Sequence, residues 1–173
     1  LYEAWNICCK SSETELLSNW NVDDRKSPWS LEALVRPFLL DENLDIAYGA
    51  TFVSEIANES WKQIKNPTIF PCNETKTWKD LIINNSPHCM PIWKKSIHDR
   101  YGYFDSSYET AADSDMWIRA VKGGATIKKI SDIVGVYYQN PHGRSTQPET
   151  LKKMLDEVHG MRKKHCPEYT VAS

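Results

Sequence analysis

Acidic side chains sit at two junctions where extended chain gives way to helix: Asn19-Trp20-Asn21-Val22-Asp23-Asp24-Arg25-Lys26-Ser27-Pro28 and Ala111-Ala112-Asp113-Ser114-Asp115-Met116-Trp117-Ile118-Arg119. Loops leaving strand tips form the ligand crevice of an open α/β sheet. The placement therefore predicts an α/β domain in which both stretches converge on one cleft, suited to a metal-bound, negatively charged substrate.

The surrounding pattern supports this class. Residues 2–10 read as a helix and 15–20 as a short strand ending on Asp23 and Asp24. Ser27-Pro28 reads as a helix start, with Ser27 capping and proline in the first turn, and Leu31, Leu34, Val35 and Phe38 recur at helical spacing. Residues 45–54 are rich in strand formers, whereas 55–79 are polar, carry Pro67 and Pro71, and read as an irregular excursion. An extended piece over 87–91, a helix over 92–101 ending at Gly102, a helix over 113–122 closed by Gly123-Gly124, and one or two strands over 125–139 follow. Thr146-Gln147-Pro148-Glu149 has the capping-box form, and Leu151, Met154, Leu155, Val158 and Met161 predict an amphipathic helix over 147–165 that docks on the domain.

Composition narrows the function. A chain of 173 residues, 40% hydrophobic and 25% charged, fits one soluble domain over 1–173. A net charge of −2 gives no positive field for nucleic acid or an anionic membrane. No apolar run is long enough for a transmembrane segment, and no secretory signal opens the chain. Cys8, Cys9, Cys72, Cys89 and Cys166 are odd in number and form no C-x-x-C pair, which points to reduced thiols in a cytoplasmic protein. The start without methionine, inside a helix, suggests that residues have been removed upstream.

Asp23 and Asp24 offer hard oxygen ligands to Mg²⁺ or Mn²⁺, with substrate phosphates completing the shell; the plainer reading is an Asp-rich turn before a helix. Asp113 is either an N-cap or a general base, with Asp115 ranked second. Trp117 and Arg119 read as structural. The loop Asn140-Pro141-His142-Gly143-Arg144-Ser145-Thr146 offers an imidazole, a guanidinium and hydroxyls to phosphate oxygens, as a mobile lid or as an exposed capped loop. His88 and Cys89, adjacent in an extended piece, point to opposite faces and do not make a dyad. Arg162-Lys163-Lys164-His165 reads as a solvated helix end.

Together, Trp20 to Arg25, Tyr101-Gly102-Tyr103-Phe104-Asp105, Ala112 to Arg119 and the His142–Ser145 loop resemble the family 2 glycosyltransferases of the GT-A fold, over residues 1 to about 150. The resemblance implies a mixed sheet flanked by helices, lacking the nucleotide-binding β-α-β units that would precede Leu1. It implies metal ligation by Asp23, Asp24 and His142, contacts from Arg144 and Ser145 to the donor diphosphate, and Asp113 as the base. Asn21 stands where the first acid of the D-x-D element is usual, which lowers the charge available to a metal. Ala112 replaces the glutamate before the base, removing an acid that would raise the base's pKa.

The implied reaction is metal-dependent, inverting transfer from a nucleotide diphosphate sugar, foremost a UDP-sugar, to a saccharide or other hydroxyl acceptor. The competing expectation is a non-catalytic sugar- or protein-binding fragment, whose strand edges pair with the missing half or with another copy. A related nucleotidyltransferase lacks support, because no Gly- and Lys-rich triphosphate loop is present.

Overall fold

The computed structural model describes residues 1–65, 67–143 and 146–170. Among the described residues, helices and strands follow in the order α1 (Tyr2–Ser11), β1 (Leu16–Ser18), β2 (Arg25–Lys26), α2 (Ser30–Leu40), β3 (Ile46–Ser54), β4 (Thr68–Ile69), α3 (Trp78–Ile83), β5 (Ile92–Lys94), α4 (Ile97–Tyr101), α5 (Ala112–Lys122), β6 (Ile127–Tyr138) and α6 (Pro148–His165). The strands form one mixed sheet in the order β1-β5-β3-β6-β2, with β4 added to β3.

Alternation along the strands builds a core on each face. Ile46 and Trp93 pack with Trp117, Met116 and Phe104, on the face covered by α1, α3, α5 and α6. Their neighbours Ala47 and Ile92 point the other way, onto Leu34 and Phe38 of α2. At Gly49 the parallel β3–β6 pair shifts register. A Cβ at Gly49 would lie 2.6 Å from Val134 Cγ1, so only glycine admits this approach.

The elements on either side of the first acidic turn depart from the sequence pattern. Ser27 does not cap a helix: its amide donates to the Val134 carbonyl at 2.9 Å, and α2 starts three residues later. Pairing of Arg25 and Lys26 with β6 has drawn this segment into the sheet edge. Leu31 is accordingly turned outward at 56% exposure, and Ala33, Leu34, Pro37 and Phe38 form the packed face. Residues 92–101 are not one helix. Ile92–Lys94 instead bridge β1 and β3, because tertiary pairing and burial on both faces outweigh helical spacing.

As the polar excursion ends, the chain enters a helix the sequence did not reveal, α3, whose Asp80 carboxylate reaches back to the Thr77 amide at 2.7 Å. At Thr146 no capping box forms, since that hydroxyl donates to the Asn140 carbonyl at 2.6 Å. Nor is the Arg162–His165 patch merely solvated. Fully buried Asp115 faces Arg119 Nε at 2.7 Å, His165 Nε2 at 2.8 Å and Lys164 Nζ at 3.2 Å, which fastens α6 onto α5. Among the described residues, no helix is long and apolar enough to cross a membrane.

Candidate active-site cleft

β1 and β3 both run antiparallel to β5, and β6 runs parallel to β3, so the carboxyl ends of β1, β3 and β6 share one edge of the sheet. A cleft of about 790 Å³ opens at that edge. Its walls include Trp20, Asn21 and Asp23 from the turn after β1, Tyr137 and Tyr138 from the end of β6, and Thr110 from the approach to α5. A strand-tip crevice of this kind is where α/β sheets bind ligands.

The turn divides its two acids between different tasks. Asp23 is exposed and lines the cleft. Asp24 is 1% exposed. Its Oδ1 accepts the Tyr138 amide at 3.0 Å and its Oδ2 accepts Asn21 Nδ2 at 2.9 Å. The Cys89 thiol lies beside this carboxylate. Burial raises the Asp24 pKa against those hydrogen bonds. With both oxygens engaged, Asp24 ties the turn to β6 and stands behind the cleft wall, whereas the sequence had placed it beside Asp23 as a ligand.

Asp113, the second residue of α5, is half-buried. The Tyr2 hydroxyl lies 2.8 Å from the Thr110 carbonyl oxygen and 3.2 Å from Asp113 Oδ1, and Asn85 Nδ2 donates to Asp113 Oδ2 at 2.9 Å. Burial raises the Asp113 pKa, while bonds from Asn85, Ser114 and Tyr2 pull it down. The Tyr2 pKa is raised by burial and by the charge of Asp113, so the phenol stays a donor. Asp23 and Thr110 thus share one cleft; Asp113 is joined to Thr110 through the Tyr2 hydroxyl and is not itself among the residues that line it.

His142 is exposed on the loop after β6, its amide bonded to Asn140 Oδ1 at 2.9 Å; Asn140 and Gly143 border the cleft, and the His142 side chain is not part of its wall. Arg144 and Ser145 lie outside the described residues. Among the described residues, no group of three or more His, Cys, Asp or Glu side chains could hold a metal ion. What Asp23 offers, with Asn21 beside it, is a single exposed carboxylate.

Four contributors were not legible as functional. Tyr2 and Asn85 carry no motif, and Glu157 accepts amides from 46 to 48 positions away. His88 stacks on Phe70 with ring centroids 3.9 Å apart and meets the cleft-lining Tyr137 edge-on at 4.7 Å. Residues 86–89 form a turn, with His88 at φ +45°, instead of the extended piece that the sequence suggests, and it is this turn that sends His88 to Phe70 and Tyr137 and Cys89 toward Asp24.

No family model matches this chain, and no curated protein matches it. Solved structures do. A crystal structure of S. aureus TarS residues 1–349 superposes with a TM-score of 0.60 and 16% identity, covering 92% of this chain and 44% of that one. A second S. aureus TarS crystal structure gives 0.58 and 16%, covering 90% and 26%. The chain therefore has a glycosyltransferase-like fold, and it spans less than half the length of the structures it matches.

Proposed function

We propose that the cleft is the metal and acceptor side of a glycosyltransferase site, acting on a nucleotide diphosphate sugar, with a UDP-sugar as the donor, and on a hydroxyl acceptor. The observation that carries this reading is the exposed carboxylate of Asp23 lining one strand-tip cleft with Thr110, whose carbonyl shares the Tyr2 hydroxyl with the partly buried carboxylate of Asp113. Paired carboxylates in unlike environments suit unlike roles.

Asp113, its pKa raised by burial, is the general base. It removes the proton from the acceptor hydroxyl, whose oxygen attacks the anomeric carbon in line. The bond from that carbon to the diphosphate oxygen breaks, the diphosphate leaves with the electron pair, and the anomeric configuration inverts. Tyr2 and Asn85 hold the carboxylate in place through the reaction. Asp23, with Asn21 beside it, would hold Mg²⁺ or Mn²⁺, which when bound supplies neutralising charge to the diphosphate.

Calorimetric titration with Mn²⁺ alone, uridine diphosphate alone and both together tests this reading. Binding that needs both, and that Asp23→Ala abolishes, supports it. Metal-independent binding of glycans, untouched by Asp23→Ala, would instead favour a non-catalytic sugar-binding module.

A further inference from the structure

Helix α5 begins after Ala111, which makes no side-chain cap bond, and continues with Ala112. Its cap comes from α6. The Glu157 carboxylate accepts the amides of Glu109 at 2.6 Å, Thr110 at 2.7 Å and Ala111 at 3.0 Å, together with the Thr110 hydroxyl at 2.5 Å. Four donors from three consecutive residues meet one side chain, which also places negative charge at the positive end of the α5 dipole. The clamped segment leads directly into Asp113 and presents the Thr110 carbonyl that shares the Tyr2 hydroxyl. Because α6 is fastened separately through His165 and Asp115, Glu157 reaches the segment from a docked helix.

We infer that Glu157 is a positioning residue for Asp113, holding the first turn of α5 where the carboxylate meets Tyr2 and Asn85. The inference rests on Asp113 being the base. Removal of the clamp frays that turn and lets water reach the carboxylate.

The test reads hydrogen exchange of the 109–111 amides and the NMR titration of the Asp113 carboxyl, in the whole chain without substrate. Wild type is compared with Glu157→Ala, Glu157→Gln and Glu157→Asp; the last keeps the charge and shortens the reach. In Glu157→Ala the three amides exchange on the order of tenfold faster or more. Asp113 then titrates closer to the ordinary carboxylate range in both the Ala and Asp variants, while the Cys166 amide at the far end of α6 stays protected. Glu157→Gln, which keeps one acceptor oxygen, recovers part of both effects.

Opened amides with an unmoved Asp113 titration would mean that Glu157 only docks α6, and the inference fails. Amides that stay protected in Glu157→Ala also overturn it. Should the Ala variant not fold, Glu157→Asp decides by the same two readings. None of these readings needs turnover, so their failure leaves the role of Asp113 as base to be judged separately, by the turnover of Asp113→Asn.

Discussion

Tyr2 and Asp113, 111 positions apart in the chain, meet with the hydroxyl oxygen 3.2 Å from Oδ1. The single phenol proton is divided between this carboxylate and the Thr110 carbonyl, so the first helix of the chain reports on the helix that carries the proposed base. The Tyr2 bond lowers the Asp113 pKa, opposing burial. In Tyr2→Phe, the Asp113 titration therefore moves further up, and the acid limb of any turnover moves with it. Stability falls by about 1 kcal/mol, read from urea unfolding. For an acid whose folded pKa is raised, stability is full below its unfolded value and is lost as pH rises through the folded value. The Tyr2→Phe chain carries this loss to higher pH.

Asp24→Ala leaves the Tyr138 amide and the Asn21 side chain without their acceptor, and it frees the turn from β6. A buried donor without a partner costs about 1–3 kcal/mol. Urea unfolding should show a loss of that size, and the amides of Asn21 to Asp24 should exchange faster. Asp24→Asn, which can still accept the Tyr138 amide, should recover part of it.

Asp115→Ala removes the buried carboxylate between Arg119, Lys164 and His165. Burial pushes this group up, but the bonds from His165 and Arg119, with Lys164 behind them, hold it well below the usual carboxylate range. Breaking a buried ion network from one side costs about 3–5 kcal/mol. The change should undock the end of α6, seen as loss of amide protection around Cys166 at neutral pH.

His88 gives the stability a dependence on mildly acidic pH. Burial pushes its pKa down to about 4 from the ordinary 6.5. Its contribution is therefore whole above 6.5 and drains away as pH falls toward 4, since the unfolded chain takes up the proton first, at up to about 1.4 kcal/mol per pH unit. His88 has φ +45°, a conformation asparagine tolerates. Urea unfolding across pH 7 to 4 should show a flatter slope for His88→Asn than for wild type.

Elements with strong local signals were legible in sequence. The α5 helix ends where Gly123-Gly124 says it must, β3 fills the stretch of strand formers, and α6 follows its apolar stripe. What failed was set by distant partners. Arg25 and Lys26 became a strand only because β6 lies beside them, and Ile92–Lys94 left a helical pattern to fill the gap between β1 and β3. The site shows the same division. Asp23 and Asp113 stand out by spacing, but nothing local separates exposed Asp23 from buried Asp24, whose burial depends on Tyr138 and Cys89. Tyr2, Asn85 and Glu157 act through contacts that span 28 to 111 positions and leave no local pattern.

The most direct test of the central claim, that Asp23 and Asp113 serve one cleft, is paramagnetic broadening of the chain's amide signals by Mn²⁺ in the presence of uridine diphosphate. The account predicts broadening centred on Asn21 to Asp24 that extends to Tyr138, Asn140 and Thr110 across the cleft, and that disappears in Asp23→Ala. Broadening confined to another surface, or unchanged by Asp23→Ala, would contradict it.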